Sequence, residues 1–209
     1  VTAPGFFLVL EGGEGSGKST VAAALEHAAA AQGRQVLRTR EPGGTPVAEA
    51  IRDLLLSQDL PEADPWCEAL LFAAARADHV GTAIRPALER GAVVICDRFV
   101  DSSAAYQGLG RGLGVAAVRE ANAAAMAGTV PDLTVVLDID PAIGLQRAVG
   151  HNRMEARSLA FHREVRQAFL DFAAAEPERY CVIDAEQPLA SVLAAATAAF
   201  EQQLVEAAS

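Results

Sequence analysis

The chain has 209 residues, of which 51% are hydrophobic and 21% charged, and its formal net charge is −10. That length suits one domain spanning residues 1–209, with a substantial core. So acidic a chain is a poor match for nucleic acid bound through a broad basic face. Small anions would bind only where local cations or backbone N–H groups overcome the field. No apolar run reaches the ~18 residues needed to span a bilayer, and the uncharged start lacks the basic stretch of a secretion signal. The expectation is a cytoplasmic protein with no membrane and no nucleic acid among its partners. Cys67, Cys96 and Cys181 form no close pair and no metal-ligand spacing, and their apolar surroundings predict three small buried residues in a reducing compartment.

Phe6–Leu10 is a short apolar run that predicts a buried first strand. A glycine-rich segment, Gly12–Thr20, follows, and then an Ala/Leu-rich stretch that stops at Gly33. Gln35–Thr39 predicts the second strand, followed by Arg40-Glu41-Pro42-Gly43-Gly44-Thr45. Asp64-Pro65 places a capping acid before a proline at the first helical position. Pro86 is predicted to break the segment Asp64–Arg90 into two helices, and Gly91 to end the second. Ala92–Cys96 is the third strand, with Asp97-Arg98 directly after it. Gly128 marks another helix end, Leu133–Leu137 the fourth strand, Asp140-Pro141 a helix start, and Tyr180–Ile183 the fifth strand. Alternating strands and helices imply a doubly wound α/β sheet, whose ligands bind beyond the carboxyl ends of the strands. The segments after the first three strands are therefore predicted to converge on one cleft.

Gly12-Gly13-Glu14-Gly15-Ser16-Gly17-Lys18-Ser19 matches the phosphate-binding loop G-x-x-x-x-G-K-[ST] in full, between a strand and a helix. Glycines let the backbone curl so that successive N–H groups face phosphate oxygens. The helix that follows adds its positive end, and Thr20 lies in its first turn. Lys18 is expected to reach the β- and γ-phosphates of ATP, and the Ser19 hydroxyl to ligate Mg²⁺. Asp97, at the end of the third strand, suits the second acid of a Mg²⁺ site, or a turn residue. Arg98 suits a phosphate, or a surface ion pair.

A phosphate loop alone does not separate kinases from GTPases or motors, and the guanine motif N-K-x-D is missing from this sequence. Five blocks in order resemble the bacterial thymidylate kinases, a P-loop nucleoside monophosphate kinase family. They are Glu11–Thr20, Thr39–Thr45, Leu70-Leu71-Phe72-Ala73 with Arg76, Asp97–Gly108, and Pro131-Asp132-Leu133 leading to Asp138. The resemblance implies an α/β P-loop kinase sandwich with a central five-stranded parallel sheet, a mobile lid, a homodimer, and ATP-dependent phosphorylation of dTMP. It implies that Phe72 stacks on the thymine ring and Arg76 hydrogen-bonds its edge. Arg98 would hold the monophosphate, Glu41, Ser103 and Gln107 would line the acceptor pocket, and Tyr106 would sit against the deoxyribose. Without the shared pattern, Phe72 and Tyr106 read equally as core aromatics and Arg76 as a solvated helix charge.

Some similar enzymes carry a catalytic arginine at the position of Gly15, and others place basic residues in the lid. Gly15 here points to the lid, at about residues 147–157, with Arg153 as the catalytic cation. Asn152-Arg153-Met154-Glu155 resembles the end of the lid motif, but only Ala148–Asn152 separates Arg147 from Arg153, a shorter span than in similar enzymes. By the same resemblance Glu14 faces the donor–acceptor junction and Arg147 packs on adenine. Two other functions fit the loop alone: a kinase for another small acceptor, and an ATP-dependent switch with no acceptor.

Overall fold

The computed structural model describes residues 4–59, 61–148 and 156–207. Five parallel strands, β1 (Phe6–Gly12), β2 (Val36–Arg40), β3 (Val93–Asp97), β4 (Leu133–Asp138) and β5 (Tyr180–Asp184), form one sheet in the order β2-β3-β1-β4-β5. All five lie where the apolar runs put them. β1 is central and buried along its whole length. The edge strands β2 and β5 are only partly covered, unlike the fully buried strands expected. Among the described residues each lacks a strand neighbour on one side.

Alternate residues of the strands feed two layers. On one face Phe6, Leu8, Leu10, Ile95, Val135 and Leu137 pack against α1 (Lys18–Ala31) and α9 (Leu189–Ala207), with Phe6 and Phe200 meeting edge to face at 5.7 Å. On the other, Phe7, Val9, Val94 and Cys96 pack against Val80, Ile84, Ala87 and Phe99. Val136 meets Val165, Ala168 and Phe169 of α8 (Leu159–Ala175). Each large side chain fully buried this way contributes roughly 1.5–3 kcal/mol.

The remaining helices are α2 (Pro46–Leu56), α3 (Pro65–His79), α4 (Arg85–Glu89), α5 (Val100–Ser103), α6 (Val115–Met126) and α7 (Pro141–Arg147). The caps read from sequence form: the Asp64 carboxylate accepts the Trp66 N–H at 2.9 Å and that of Asp140 accepts the Ala142 N–H at 2.8 Å. Gly33, Gly91 and Gly128 all have positive φ, as helix ends require.

Two expectations fail here. Pro86 does not interrupt the helix, because a π-helical turn over Val80–Ile84 widens the winding just before it and α3 runs on into α4. Of the cysteines, only Cys96 is buried; Cys67 lies on the exposed side of α3 and Cys181 on the partly covered edge strand. A second π-helical turn, Ala104–Leu109, continues α5 and carries Tyr106 and Gln107.

Candidate active site

β1 runs straight into the glycine loop, and β3, its neighbour, ends level with it: Leu10 pairs with Asp97. The loop closes on Gly17, whose φ of 94° only glycine adopts readily, and α1 starts at Lys18. Lys18 folds back into the loop. Its Nζ donates to the carbonyls of Gly12 at 3.1 Å and Gly13 at 2.9 Å, and the Ser16 hydroxyl bonds the Gly13 carbonyl at 2.9 Å. Burial, reinforced by Arg98, pushes the Lys18 ammonium down to a pKa of about 8, against the pull of Asp97, Glu14 and Glu11. Ser19 and Thr20 stand exposed on the first turn of α1.

The loop continues at Glu14, which meets the residues after β3. Arg98 has a φ of 72°, uncommon for a residue with a side chain, and its Nη2 donates to Glu14 Oε1 at 2.8 Å. The Tyr106 hydroxyl donates to the same oxygen at 3.2 Å, and the Arg98 guanidinium lies 5.2 Å from the centre of the Tyr106 ring. Burial alone would raise the Glu14 carboxyl, but Arg98, Lys18 and Tyr106 outweigh it and hold the group below the usual carboxylate range. Burial likewise opposes the Arg98 charge, and the surrounding acids and Tyr106 more than compensate.

A cavity of about 120 Å³ opens at this ion pair. Glu14 borders it from the loop after β1, Glu41 and Pro42 from the segment after β2, and Arg98, Phe99, Ser102 and Ser103 from the segment after β3. The three segments therefore converge as expected. Phe72 and Arg76 of α3, Tyr106 and Gln107 of the second π-helical turn, and Arg52 and Leu56 of α2 complete the wall.

Arg76 is no solvated helix charge: only 2% of it is exposed. Its Nε donates to Glu41 at 2.8 Å, Nη2 donates to the Phe99 carbonyl at 3.1 Å, and Nη1 donates to Asn122. Both terminal nitrogens also reach the Ser103 hydroxyl, at 3.3 and 3.2 Å. The five donors of the guanidinium thus all meet protein oxygens. Behind it, buried His79 bridges Glu41 at 3.1 Å and Thr39 at 2.7 Å. Gln107 is held by a 2.9 Å bond to buried Glu68.

The donor set suits a divalent cation. Asp97 Oδ1 is buried with no hydrogen-bond partner among the described residues, which is costly for a carboxylate oxygen unless something positive completes it. Ser19 offers a hydroxyl from the adjoining helix turn. Arg147, in the last turn of α7, donates to the Ala185 carbonyl at 3.1 Å, beside the end of β5. Arg153, and residues 149–155 of the lid expected at about 147–157, lie outside the described residues.

Several residues of the site carried no assigned role in the sequence. Glu11 caps the turn after Arg98, and Asn122 of α6 with Glu68 and His79 of α3 holds the acceptor wall. Arg52 donates to the Pro42 carbonyl at 2.7 Å. Glu11 and Ser102 fall inside the motif blocks, and an acid at the end of the apolar strand β1 was the visible signal for Glu11. Nothing in the spacing marks Asn122 or Arg52.

The family model described as thymidylate kinase matches residues 10–196. A thymidylate kinase of Deinococcus radiodurans is 51% identical over 187 residues, covering 88% of this chain and 90% of the relative. One of Pseudomonas fluorescens is 52% identical over 193 residues, covering 90% and 91%. The crystal structure of thymidylate kinase from Ehrlichia chaffeensis superposes with a TM-score of 0.72 at 34% identity, over 86% of this chain and 93% of that one. The chain belongs to the thymidylate kinase family.

Proposed function

We propose that this chain transfers the γ-phosphoryl group of ATP to dTMP, giving dTDP for dTTP synthesis. Family membership over most of the chain supports the reaction. The observation that carries the reading of the site is Arg98, which stands between the phosphate loop, through Glu14, and the cavity lined by Phe72 and Arg76. A switch without an acceptor has no use for such a cavity.

In this reading the backbone from Gly12 to Thr20 cradles the phosphates of ATP. Lys18 leaves the Gly12 and Gly13 carbonyls to meet the β- and γ-phosphates, and Arg147 borders the adenine. Asp97 and Ser19 hold Mg²⁺, which when bound neutralises charge on the donor phosphates. Arg98 exchanges Glu14 for the monophosphate of dTMP, so that Glu14 is released towards the junction between donor and acceptor. Lys18, Arg98 and, from the lid, Arg153 compensate the charge on the moving phosphoryl group.

Phe72 stacks on the thymine, and Tyr106 closes the space a 2′-hydroxyl would need. The Arg76 donors are engaged, so Arg76 addresses the base edge together with Ser103. The Ser103 oxygen accepts from Arg76 and leaves its own proton for a base carbonyl. Glu41 and Gln107 hold this wall in place. A base edge read by donors favours a carbonyl over the amino group of dCMP.

The same reading makes residues 1–209 a single domain with a lid at about 147–157, working in the cytoplasm, where the three unpaired cysteines suit a reducing medium. It also makes the chain a homodimer. The exposed Val47 and Leu54 on α2 and Trp66 and Leu70 on α3 offer an apolar face for a second copy.

The test is kcat/KM with ATP for dTMP, dUMP, dCMP and UMP. The buried 5-methyl group should favour dTMP over dUMP by about 10- to 200-fold, and dCMP and UMP should be poorer still. Equal use of dCMP and dTMP would remove the base-edge role, and a preference for UMP would overturn the reading.

A further inference from the structure

Glu11 is the last side chain of β1 before the phosphate loop, and it is completely buried. A carboxylate in the core is expensive unless every oxygen is occupied. Here each one is. Oε1 accepts the backbone N–H of Phe99 at 2.9 Å and that of Ser102 at 3.1 Å. Oε2 accepts the Ser102 hydroxyl at 2.7 Å. These donors directly follow Arg98, whose own N–H is held by the Leu10 carbonyl at 2.9 Å and whose backbone sits at φ 72°. β1 therefore grips the Arg98 turn from both sides.

The side chains add a direction. A serine hydroxyl has one proton and two acceptor lone pairs. The Ser102 proton goes to Glu11, so the lone pairs are turned to Arg98, and Arg98 Nη1 donates to Ser102 Oγ at 3.2 Å. With Glu11 ionised, the order Arg98 to Ser102 to Glu11 has one polarity only. We infer that Glu11 is a positioning residue: through Ser102 it fixes the Arg98 guanidinium at the mouth of the acceptor cavity, ready for the monophosphate. It touches neither nucleotide. The inference rests on the monophosphate role proposed for Arg98.

Glu11→Gln separates the backbone grip from the polarity. The amide oxygen still accepts both backbone N–H groups. The amide nitrogen faces Ser102 as a donor and displaces the hydroxyl proton towards Arg98, donor against donor. At pH 8 Glu11→Gln should raise KM for dTMP about tenfold or more, the worth of one charge-assisted hydrogen bond. KM for ATP should stay within about twofold, since the loop and Lys18 are untouched. Ser102→Ala removes the same relay and should raise KM for dTMP similarly. Because the two act as one unit, the double variant should be no worse than Ser102→Ala by more than about twofold.

Arg98→Ala is measured beside them. If Arg98→Ala leaves KM for dTMP unchanged, the monophosphate reading itself fails. If Arg98→Ala raises it while Glu11→Gln does not, only the positioning role fails. Equal rises in both KM values, or additive effects in the double variant, would also overturn it. Should Glu11→Gln not fold, Ser102→Ala alone decides, because it keeps both backbone bonds to Glu11: an unchanged KM for dTMP overturns the relay.

Discussion

Gly15 of the phosphate loop and Gly144 of α7 pack backbone to backbone. A Cβ on Gly15 would stand 2.0 Å from the Gly144 carbonyl oxygen, and one on Gly144 would stand 2.3 Å from the Glu14 carbonyl oxygen. Gly15 also has a φ of 66°. The contact ties the loop to the helix that leads into residues 149–155. It also gives a structural reason for glycine, since a larger residue at Gly15 would have to push α7 away. Gly15→Ala and Gly144→Ala should each destabilise by about 1–3 kcal/mol, the usual cost of overpacking. Gly15→Ala should lie at the upper end, because its backbone is strained as well. Both should weaken ATP binding. Chemical denaturation checks the first effect and calorimetric titration the second; unchanged stability in Gly144→Ala would mean that the contact yields easily.

Arg76 and Glu41 form an ion pair in which each side chain is less than 5% exposed. Removing one partner of such a pair leaves the other charge stranded, at a cost of roughly 3–5 kcal/mol. Arg76→Ala should therefore lower Tm by about 10 °C in a chain of this size. Arg76→Lys keeps the charge but loses the five-donor fork, and should fall between. The role of Arg76 in base choice is then readable only in the lysine variant. A Tm within about two degrees of the parent in Arg76→Ala would show that the pair contributes little.

The sheet was legible because its strands are continuous apolar runs bounded by glycine, proline and capping acids. The convergence of three loops follows from that alternation, and Glu14, Glu41 and Arg98 do meet at one cavity. What the spacing could not reveal is which donors and acceptors find each other across the chain. Arg76 lies 46 positions from Asn122, and Glu11 lies 91 positions from Ser102. Such pairs depend on the packing of α3, α6 and the segment after β3. The π-helical turn before Pro86 was hidden for a different reason. It exchanges one hydrogen-bond pattern for another without any change in hydrophobic periodicity that a short segment could display.

Lys18 is held by loop carbonyls and the Ser16 hydroxyl and, among the described residues, by no acid within ion-pair distance. Lys18→Ala breaks no ion pair there, and Glu14 keeps Arg98 and Tyr106 as partners, so the fold should survive. Turnover should not. Loss of one preorganised cation at the transferring phosphoryl group lowers kcat on the order of 10²–10³ or more. A coupled assay gives the rate and near-ultraviolet circular dichroism the fold. Near-normal kcat in a folded Lys18→Ala protein would refute the role.

Glu11 makes a stability prediction that runs opposite to most carboxylates. Burial, the largest influence, pushes its pKa up to about 7 from an ordinary 4.5, although Arg98, Ser102 and the Phe99 N–H pull it down. Between these two values the folded protein holds a proton that the unfolded chain has lost. Stability from this group is thus full below about pH 4.5 and declines as pH rises to about 7, by up to roughly 3 kcal/mol for a shift of this size. Glutamine has no such titration. The difference in stability between Glu11→Gln and the parent should therefore move in favour of the variant from pH 5 to pH 8. Denaturant melts of both proteins at the two pH values measure it. A difference that does not change with pH would show that Glu11 keeps one protonation state over that range. A difference that moves the other way would mean that its three donors and Arg98 outweigh burial. If the predicted shift appears together with the rise in KM for dTMP, the buried carboxylate lowers stability at neutral pH while it holds Arg98 in place, which is the kind of strain expected where a site is preorganised for a phosphate.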